Sequence, residues 1–451
     1  MKTFFPLNSN NCRGLLSGWT GWVTGLRLGR TLKAEGTSRG DVLWCPCLPL
    51  RGSARQKETS ALSVRGEAVT RGRMRLAVAA STVAFAVVAG CSGGSAAGAK
   101  GRPAGASDDV LGGTRAAQDE VSKALQNPTG ILIDAPLSRR PSSDKLIAIL
   151  DTPTGTGHLK NLGVVDAARA LGWRAQLLTV GRGAEDTATV MDQALDLHPD
   201  AVVFGATPVA LLGQQLARAQ TLKIPVLADS ITDPVQNGII STSLDNPTQV
   251  AEYGRLVGSY VAAKSDGKAH AAIFTISAYP VLTVFANSFK QALTAACPTC
   301  KVLVVNQQIS DLGKNTPQSV VDTLQRDPNI NWAIFSLGDL TIGVPEALRA
   351  AGLQGKVKIG GETPTQANLQ ALRAGTEEVW TGFTAAILGW RDVDMLARYF
   401  NGESLDAANR TLLPTQLITR ENVSIAPLDS TGYYVGFPGY ADAFKKLWQL
   451  G

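Results

Sequence analysis

The chain has 451 residues, a formal net charge of +6 and a hydrophobic content of 44%, so it is long enough for more than one packed domain and apolar enough to fill each. The positive charge belongs almost wholly to the first 73 residues, which hold 12 Lys and Arg against 4 Asp and Glu and leave the remainder at −2. That distribution argues against a nucleic-acid partner, and three histidines with six scattered cysteines leave no four-ligand zinc site. Residues 1–73 are rich in Arg, Gly and Trp and lack helical or strand periodicity. They read as an upstream mis-start, with Met74 the real initiator, or as a disordered leader.

From Met74 the pattern changes. Arg75 is a short positive segment, and Leu76–Val88 is an apolar run of signal-peptide length, too short to span a bilayer. It ends in Val88-Ala89-Gly90-Cys91, followed by SGGSAAGAKGRPAG. Small residues before a cysteine and a Ser/Gly-rich tether after it resemble the lipobox of bacterial lipoproteins. The resemblance implies that 74–90 is a lipoprotein signal peptide and that Cys91 is lipidated, with 91–144 a lipid-anchored linker and extension. A cleaved secretory signal with an incidental cysteine is the alternative.

Asp108–Gln126 suits a helix, and PTGILIDAPLSRRPSSDK is an extended, proline-punctuated lead-in. From Lys145 short apolar runs alternate with helical stretches: KLIAILD, RAQLLTVG, AVVFGA, IPVLADS and GIISTSLD read as strands. The alternation starts afresh with the helix QVAEYGRLVGSYVAAKS and the strands AAIFTI, KVLVVNQQ, NWAIFSLG, KVKIGGE and EVWTGFT. Two complete α/β halves follow, each a doubly wound parallel-sheet lobe. Cys297 and Cys300 stand after FANSFKQALTAA, at a helix end, whereas a thioredoxin-type pair opens a helix. A structural disulfide closing the turn to the strand Lys301–Val305 is expected.

The phrases ALDLHPDAVVFGATPVAL, ARAQTLKIPVLADS, DPNINWAIFSLGDLTIGVPEALRAAGL, KVKIGGETPTQANLQALRAG and AILGWRDVDMLARYFNGE, in this order on a lipid-anchored pair of lobes, resemble the type I periplasmic binding proteins, the sugar-binding class of ABC-transporter receptors. The resemblance covers roughly 145–451. It implies a three-segment hinge near Thr242–Asn246, Thr381–Ala385 and Arg410–Pro414, with 145–244 plus 385–410 as lobe one and 245–384 plus 411–451 as lobe two.

Ligands of open parallel sheets sit beyond the carboxyl ends of the strands. There the first strand is followed by Thr152, Thr154, Thr156 and His158, a hydroxyl-rich turn opening a helix, in which any one threonine can equally be a plain helix cap. Thr207 follows the third strand, and Asp229 and Ser230 the fourth. The resemblance implies that Asp229 is the lobe-one carboxylate that accepts from ligand hydroxyls; a cap or surface acid is the alternative. In lobe two the matching positions are Tyr279, Asp339, Glu362 and Phe383.

The chain departs from the ribose-type pattern: a frequent arginine is replaced by Tyr279-Pro280-Val281-Leu282-Thr283, paired phenylalanines are missing near Gly157, and Gly338 precedes Asp339. Aromatic contact must then come from Tyr279, Phe383, Trp380 or Trp390, the two tryptophans reading better as core.

What the resemblance implies is an extracytoplasmic monomer on the outer face of the cytoplasmic membrane. It would bind a small polar ligand, a sugar or sugar-like compound, and deliver it to an ABC permease and its ATPase. No cofactor, metal or catalytic residue is expected. A ligand-sensing module for a membrane signalling protein and a non-sugar ligand are the alternatives. An enzyme is disfavoured, since His-Glu-x-x-His is absent and no histidine pairs with a nucleophile.

Overall fold

The computed structural model describes residues 106–182, 186–236 and 238–450; the expected leader, signal segment and Cys91 lie outside the described residues. Helix α1 (Ala106–Ala124) precedes the first lobe, which runs β1 (Leu146–Asp151), α2 (Gly155–Ala170), β2 (Arg174–Thr179), α3 (Asp186–Asp196), β3 (Ala201–Gly205), α4 (Gly213–Leu222), β4 (Val226–Asp229) and β5 (Ile239–Leu244). The second lobe takes α5 (Pro247–Lys264), β6 (His270–Thr275), α6 (Pro280–Ala296), β7 (Lys301–Asn306), α7 (Thr316–Arg326) and β8 (Trp332–Phe335). It continues through α8 (Val344–Ala350), β9 (Lys358–Glu362), α9 (Gln366–Ala374) and β10 (Val379–Gly382). Last come α10 (Ala385–Asn401), α11 (Asp406–Arg410), β11 (Gln416–Thr419) and α12 (Tyr440–Leu447).

The first sheet has the order β2-β1-β3-β4-β5 and is parallel throughout. The second has the order β11-β10-β9-β8-β6-β7, parallel except for β11, which adds antiparallel to β10 at the edge. Runs such as Ile147–Leu150 and Val202–Phe204 are buried on both faces, as strands between two helical layers must be. Ile147, Ile149 and Val203 pack with Val164 of α2 and Leu388 of α10, whereas Ala148, Leu150 and Phe204 pack with Val190 of α3 and Leu216 of α4. Cys297 and Cys300 are joined and close the turn between α6 and β7.

Each lobe contains one helix pair in near-backbone contact. A Cβ on Gly389 of α10 would stand 2.4 Å from the Lys160 carbonyl of α2, and one on Gly254 of α5 would stand 2.4 Å from the Phe285 carbonyl of α6. Only glycine permits either approach. The first of them brings α10 close enough to α2 for an acid of one helix to reach a lysine of the other.

The chain changes lobe at 245–246, 383–384 and 411–415, and among the described residues it also does so at 126–130 and 435–439. The three expected passages are present, two further ones lie beside them, and the second of these carries α12 onto the first lobe, where the C-terminal stretch was expected wholly in lobe two. Helix α1 docks on α5 of the second lobe through Val121, the Glu120–Arg255 ion pair and a bond from Ser259 Oγ to Glu120 (2.7 Å), before Ile131, Ile133 and Leu137 enter the first lobe's core. At the other end α12 carries Phe444 and Leu447 on one face and needs an apolar partner. It finds one on α10, where Trp390 and Trp448 stack at 5.3 Å.

Candidate functional site

Between the lobes, beyond the carboxyl ends of both sheets, lies a cavity of about 90 Å³. Its two walls differ in chemistry. The first lobe supplies Thr152, Thr154, Thr156, Lys160, Asp229 and Ser230, with Asp245 at the first passage. The second supplies Val250, Val281, Leu282 and Leu337, the rings of Tyr279 and Phe383, and two polar residues, Glu362 and Thr363.

Four strand ends reach this cavity through the same backbone device. Ala206, Ser230, Asp245 and Thr363 directly follow β3, β4, β5 and β9, and all four have positive φ, between 49° and 60°. The amides of Ala206, Ser230 and Thr363 still extend the sheet ladder, to the carbonyls of Asp229, Leu244 and Thr381. The left-handed turn then swings the chain across the cleft. For side chains with a Cβ this conformation costs roughly 1 kcal/mol or more per residue, and such strain gathers at sites where position matters more than stability.

The charged groups form one connected cluster. Lys160 Nζ is buried 2.7 Å from Asp229 Oδ2 and 3.5 Å from Asp392 Oδ2 of α10. Burial works against its charge, but the two carboxylates outweigh burial and hold the ammonium above its ordinary range. Asp392 is pushed well up by burial and by the charge of Asp229.

Ser230 Oγ lies 2.9 Å from Asp229 Oδ1 and 2.8 Å from Asp245 Oδ2. A hydroxyl has a single proton, so it donates to one carboxylate and must accept from the other. Asp245 is pushed up to about 7 by burial, against the bond from Ser230, with the negative charge of Asp229 adding to the rise. Glu362 is raised well above its usual range by burial, with the charge of Asp245 adding to it. Thr152 Oγ1, Asp245 Oδ1 and Glu362 Oε1 are buried polar atoms without a protein partner, so the cavity holds hydrogen-bonding capacity that the fold itself does not use.

Three of the residues expected at the site are placed differently. His158 turns out of the cavity: it is about half exposed, and its Nδ1 lies 2.8 Å from Asp151 Oδ2. One turn into a helix its side chain points along the first turn and not into the cleft. Thr207 lines a neighbouring cavity of about 190 Å³ that shares Thr152, Gly205 and Tyr279 with the first. Asp339 is spent on the lobes themselves. Its Oδ1 accepts from the Gly155 amide (2.8 Å) and its Oδ2 from Thr156 Oγ1 (2.9 Å), so an acid of the second lobe caps the N-terminus of α2 in the first. Thr154 lines the cavity while its hydroxyl accepts from the Gly157 amide as the N-cap of α2.

Lys160, Asp245 and Asp392 were not expected. Lys160 carried a readable signal: Thr156, Lys160, Gly163, Val164 and Ala167 fall on the buried face of α2, where a lysine demands a partner. Asp245 and Asp392 carried none, because what they face is set by other elements. Trp380, bonded to Glu377 (2.6 Å), and Trp390 are both core. Among the described residues, no three His, Cys, Asp or Glu are arranged to hold a metal ion, and no helix is long and apolar enough to cross a membrane.

A family model described as a periplasmic binding protein domain matches residues 161–404, more than half of the chain. No curated protein matches. Among solved structures, a 5-methylthioribose transporter solute binding protein from Thermotoga lettingae is 16% identical with a TM-score of 0.56, covering 70% of this chain and 100% of its own. A glucose-galactose binding protein from Geobacillus stearothermophilus is 17% identical with a TM-score of 0.54, over 62% and 99%. The fructose-binding periplasmic domain of a hybrid two-component system is 15% identical with a TM-score of 0.54, over 63% and 93%. At these identities the likeness is one of fold.

Proposed function

The chain belongs to the periplasmic binding protein domain family, a class of non-catalytic solute binders, and from that premise we propose that it captures a sugar or sugar-like compound between its lobes and delivers it to an ABC permease with its ATPase. The observation that carries this reading is the unequal cavity. A wall of hydroxyls and carboxylates with an unpartnered Thr152 Oγ1 faces a mostly apolar wall of aliphatic side chains and two aromatic rings, with Glu362 and Thr363 its polar members. A sugar has the matching anatomy, hydroxyls at its rim and C–H groups on its faces. Solved neighbours with glucose-galactose and fructose in their descriptions are in keeping with it.

Thr152, Thr154, Thr156, Asp229, Ser230, Tyr279, Glu362 and Phe383 are the proposed contacts from the sequence reading, with Asp245 and Lys160 added by the structure. Ligand touching both walls favours the closed arrangement, which is the form a permease would recognise. Cys91 is proposed as the lipid anchor on the outer face of the cytoplasmic membrane. A second reading, a sensor for a membrane signalling protein, draws on the neighbour from a hybrid two-component system.

A thermal-shift screen of the purified protein against sugars, polyols, nucleosides and aromatic acids tests the substrate class. A ligand specific to the folded state raises Tm with the logarithm of its excess over Kd. The expected result is a shift with a sugar or polyol that Thr152→Val reduces. A shift with nucleosides or aromatic acids alone would overturn the carbohydrate assignment.

A further inference from the structure

Among the proposed contacts, Asp245 and Glu362 are two buried carboxyls to which a neutral sugar brings no positive charge. Asp245 stands at the first passage between the lobes and Glu362 at the end of β9 in the second lobe, so one acid comes from each side of the cleft. Both are more than nine-tenths buried, and each keeps one oxygen with no protein partner. Both line the same cavity between the lobes. Among the described residues that line the cavity, the one cation, Lys160, is already held between Asp229 and Asp392.

Around these two acids stand Ser230, Asp229 and Tyr253, whose buried hydroxyl also lacks a partner. Glu252 is a further acid close to that tyrosine. Among the described residues, no basic side chain other than Lys160 lines the cavity with the pair. The site therefore offers buried carboxyls that have no basic partner of their own and that a cation could meet in exchange for their protons.

We infer that the ligand carries an amine, and that its ammonium group bonds Asp245 from one side of the cleft and Glu362 from the other. This rests on the solute-receptor reading and narrows it from sugars in general to amino sugars or amino polyols. An ammonium has three donors and no acceptor, which suits two carboxylates. Held between acids of opposite lobes, it ties closure to the presence of the amine. Binding also displaces the protons that keep the empty pair neutral. Affinity for an amine should therefore rise with pH through the neutral range, up to tenfold per pH unit for each proton released, until the amine itself loses its charge.

The test compares D-glucosamine, D-galactosamine and 1-amino-1-deoxysorbitol with D-glucose, D-galactose and sorbitol, by titration calorimetry on the purified protein at pH 6 and pH 8. Runs in two buffers of different ionisation enthalpy count the protons. The expected result is at least tenfold tighter binding of an amine than of its neutral parent, with release of about one proton. In Glu362→Gln, whose shape is kept, the amine-to-parent affinity ratio should fall toward one and the proton release should shrink. Equal or tighter binding of the neutral parent would overturn the amine inference and leave the sugar-receptor reading standing. No binding by either set would overturn both. Binding of plain putrescine but of no sugar would keep the acid pair's role and overturn the carbohydrate reading.

Discussion

The two lobes share a plan and differ in what they show the ligand. Each is a parallel sheet between helices, each uses one glycine-mediated helix contact, and each ends its strands at the cleft. Yet the first lobe presents threonines, a buried lysine and acids, while the second presents mostly Val281, Leu282, Leu337 and two rings, with Glu362 and Thr363 as its polar residues. Repetition of a fold thus fixes where the ligand lies and says little about what it is. The polar wall sets direction through hydrogen bonds, and the apolar wall adds contact area without demanding a particular orientation.

The largest break in this contrast is at Lys160. Lys160→Met removes the cation and leaves Asp229 and Asp392 buried side by side, an expected loss of roughly 3–5 kcal/mol of stability, visible as a large fall in Tm. Lys160→Met combined with Asp229→Asn should recover part of that loss, because fewer uncompensated charges remain. A single variant with unchanged Tm would mean that the cluster is not the electrostatic centre of lobe one.

The second lobe should respond in the opposite way. Phe383→Ala or Tyr279→Ala removes apolar contact area from the cavity and disturbs no ion pair, so ligand affinity should fall on the order of tenfold, with a smaller effect on stability, about 1–2 kcal/mol. Titration calorimetry and denaturant melts separate the two readouts.

Acidity sharpens the contrast further. Asp245 keeps its proton in the folded protein up to about 7 but would lose it near 3.8 when unfolded. The folded state therefore binds the extra proton between those values, so this contribution to stability is whole below the unfolded pKa and lost as pH rises through 7. Tm measured without ligand should fall between about pH 4 and 7 and level off above, and Asp245→Asn should flatten that slope.

The smallest effect is expected at Asp339, which touches both lobes and does not line the cavity. Asp339→Asn keeps one acceptor for the Gly155 amide and loses the other for Thr156. Closure becomes harder for every ligand alike, and all affinities should fall by a common factor of roughly five. A change in ligand preference would instead show that Asp339 reads the ligand.

Most of the architecture was legible because parallel strands announce themselves as short apolar runs, and KLIAILD, AVVFGA and IPVLADS could be little else. The end of the chain was less so: Tyr440, Phe444 and Trp448 show an apolar face but not the helix it seeks. At the site, strand-end positions were readable from the order of elements, which is how Asp229, Tyr279 and Glu362 were placed. Side-chain direction was not. His158 and Asp339 stand at the right loops, yet one turns to Asp151 and the other to the opposite lobe's helix. Partnership across elements, as in Lys160 with Asp392, is a property of packing that no single stretch of sequence contains.

The two ends of the described chain are fastened to different bodies, α1 to the second lobe and α12 to the first. Probes on exposed Gln118 and Lys446 would therefore travel with opposite halves of the molecule while leaving the cavity untouched. The protein carries, in its own termini, the attachment points of an optical gauge of ligand occupancy: two dyes whose energy transfer follows the opening and closing of the cleft, for any ligand and without a transporter.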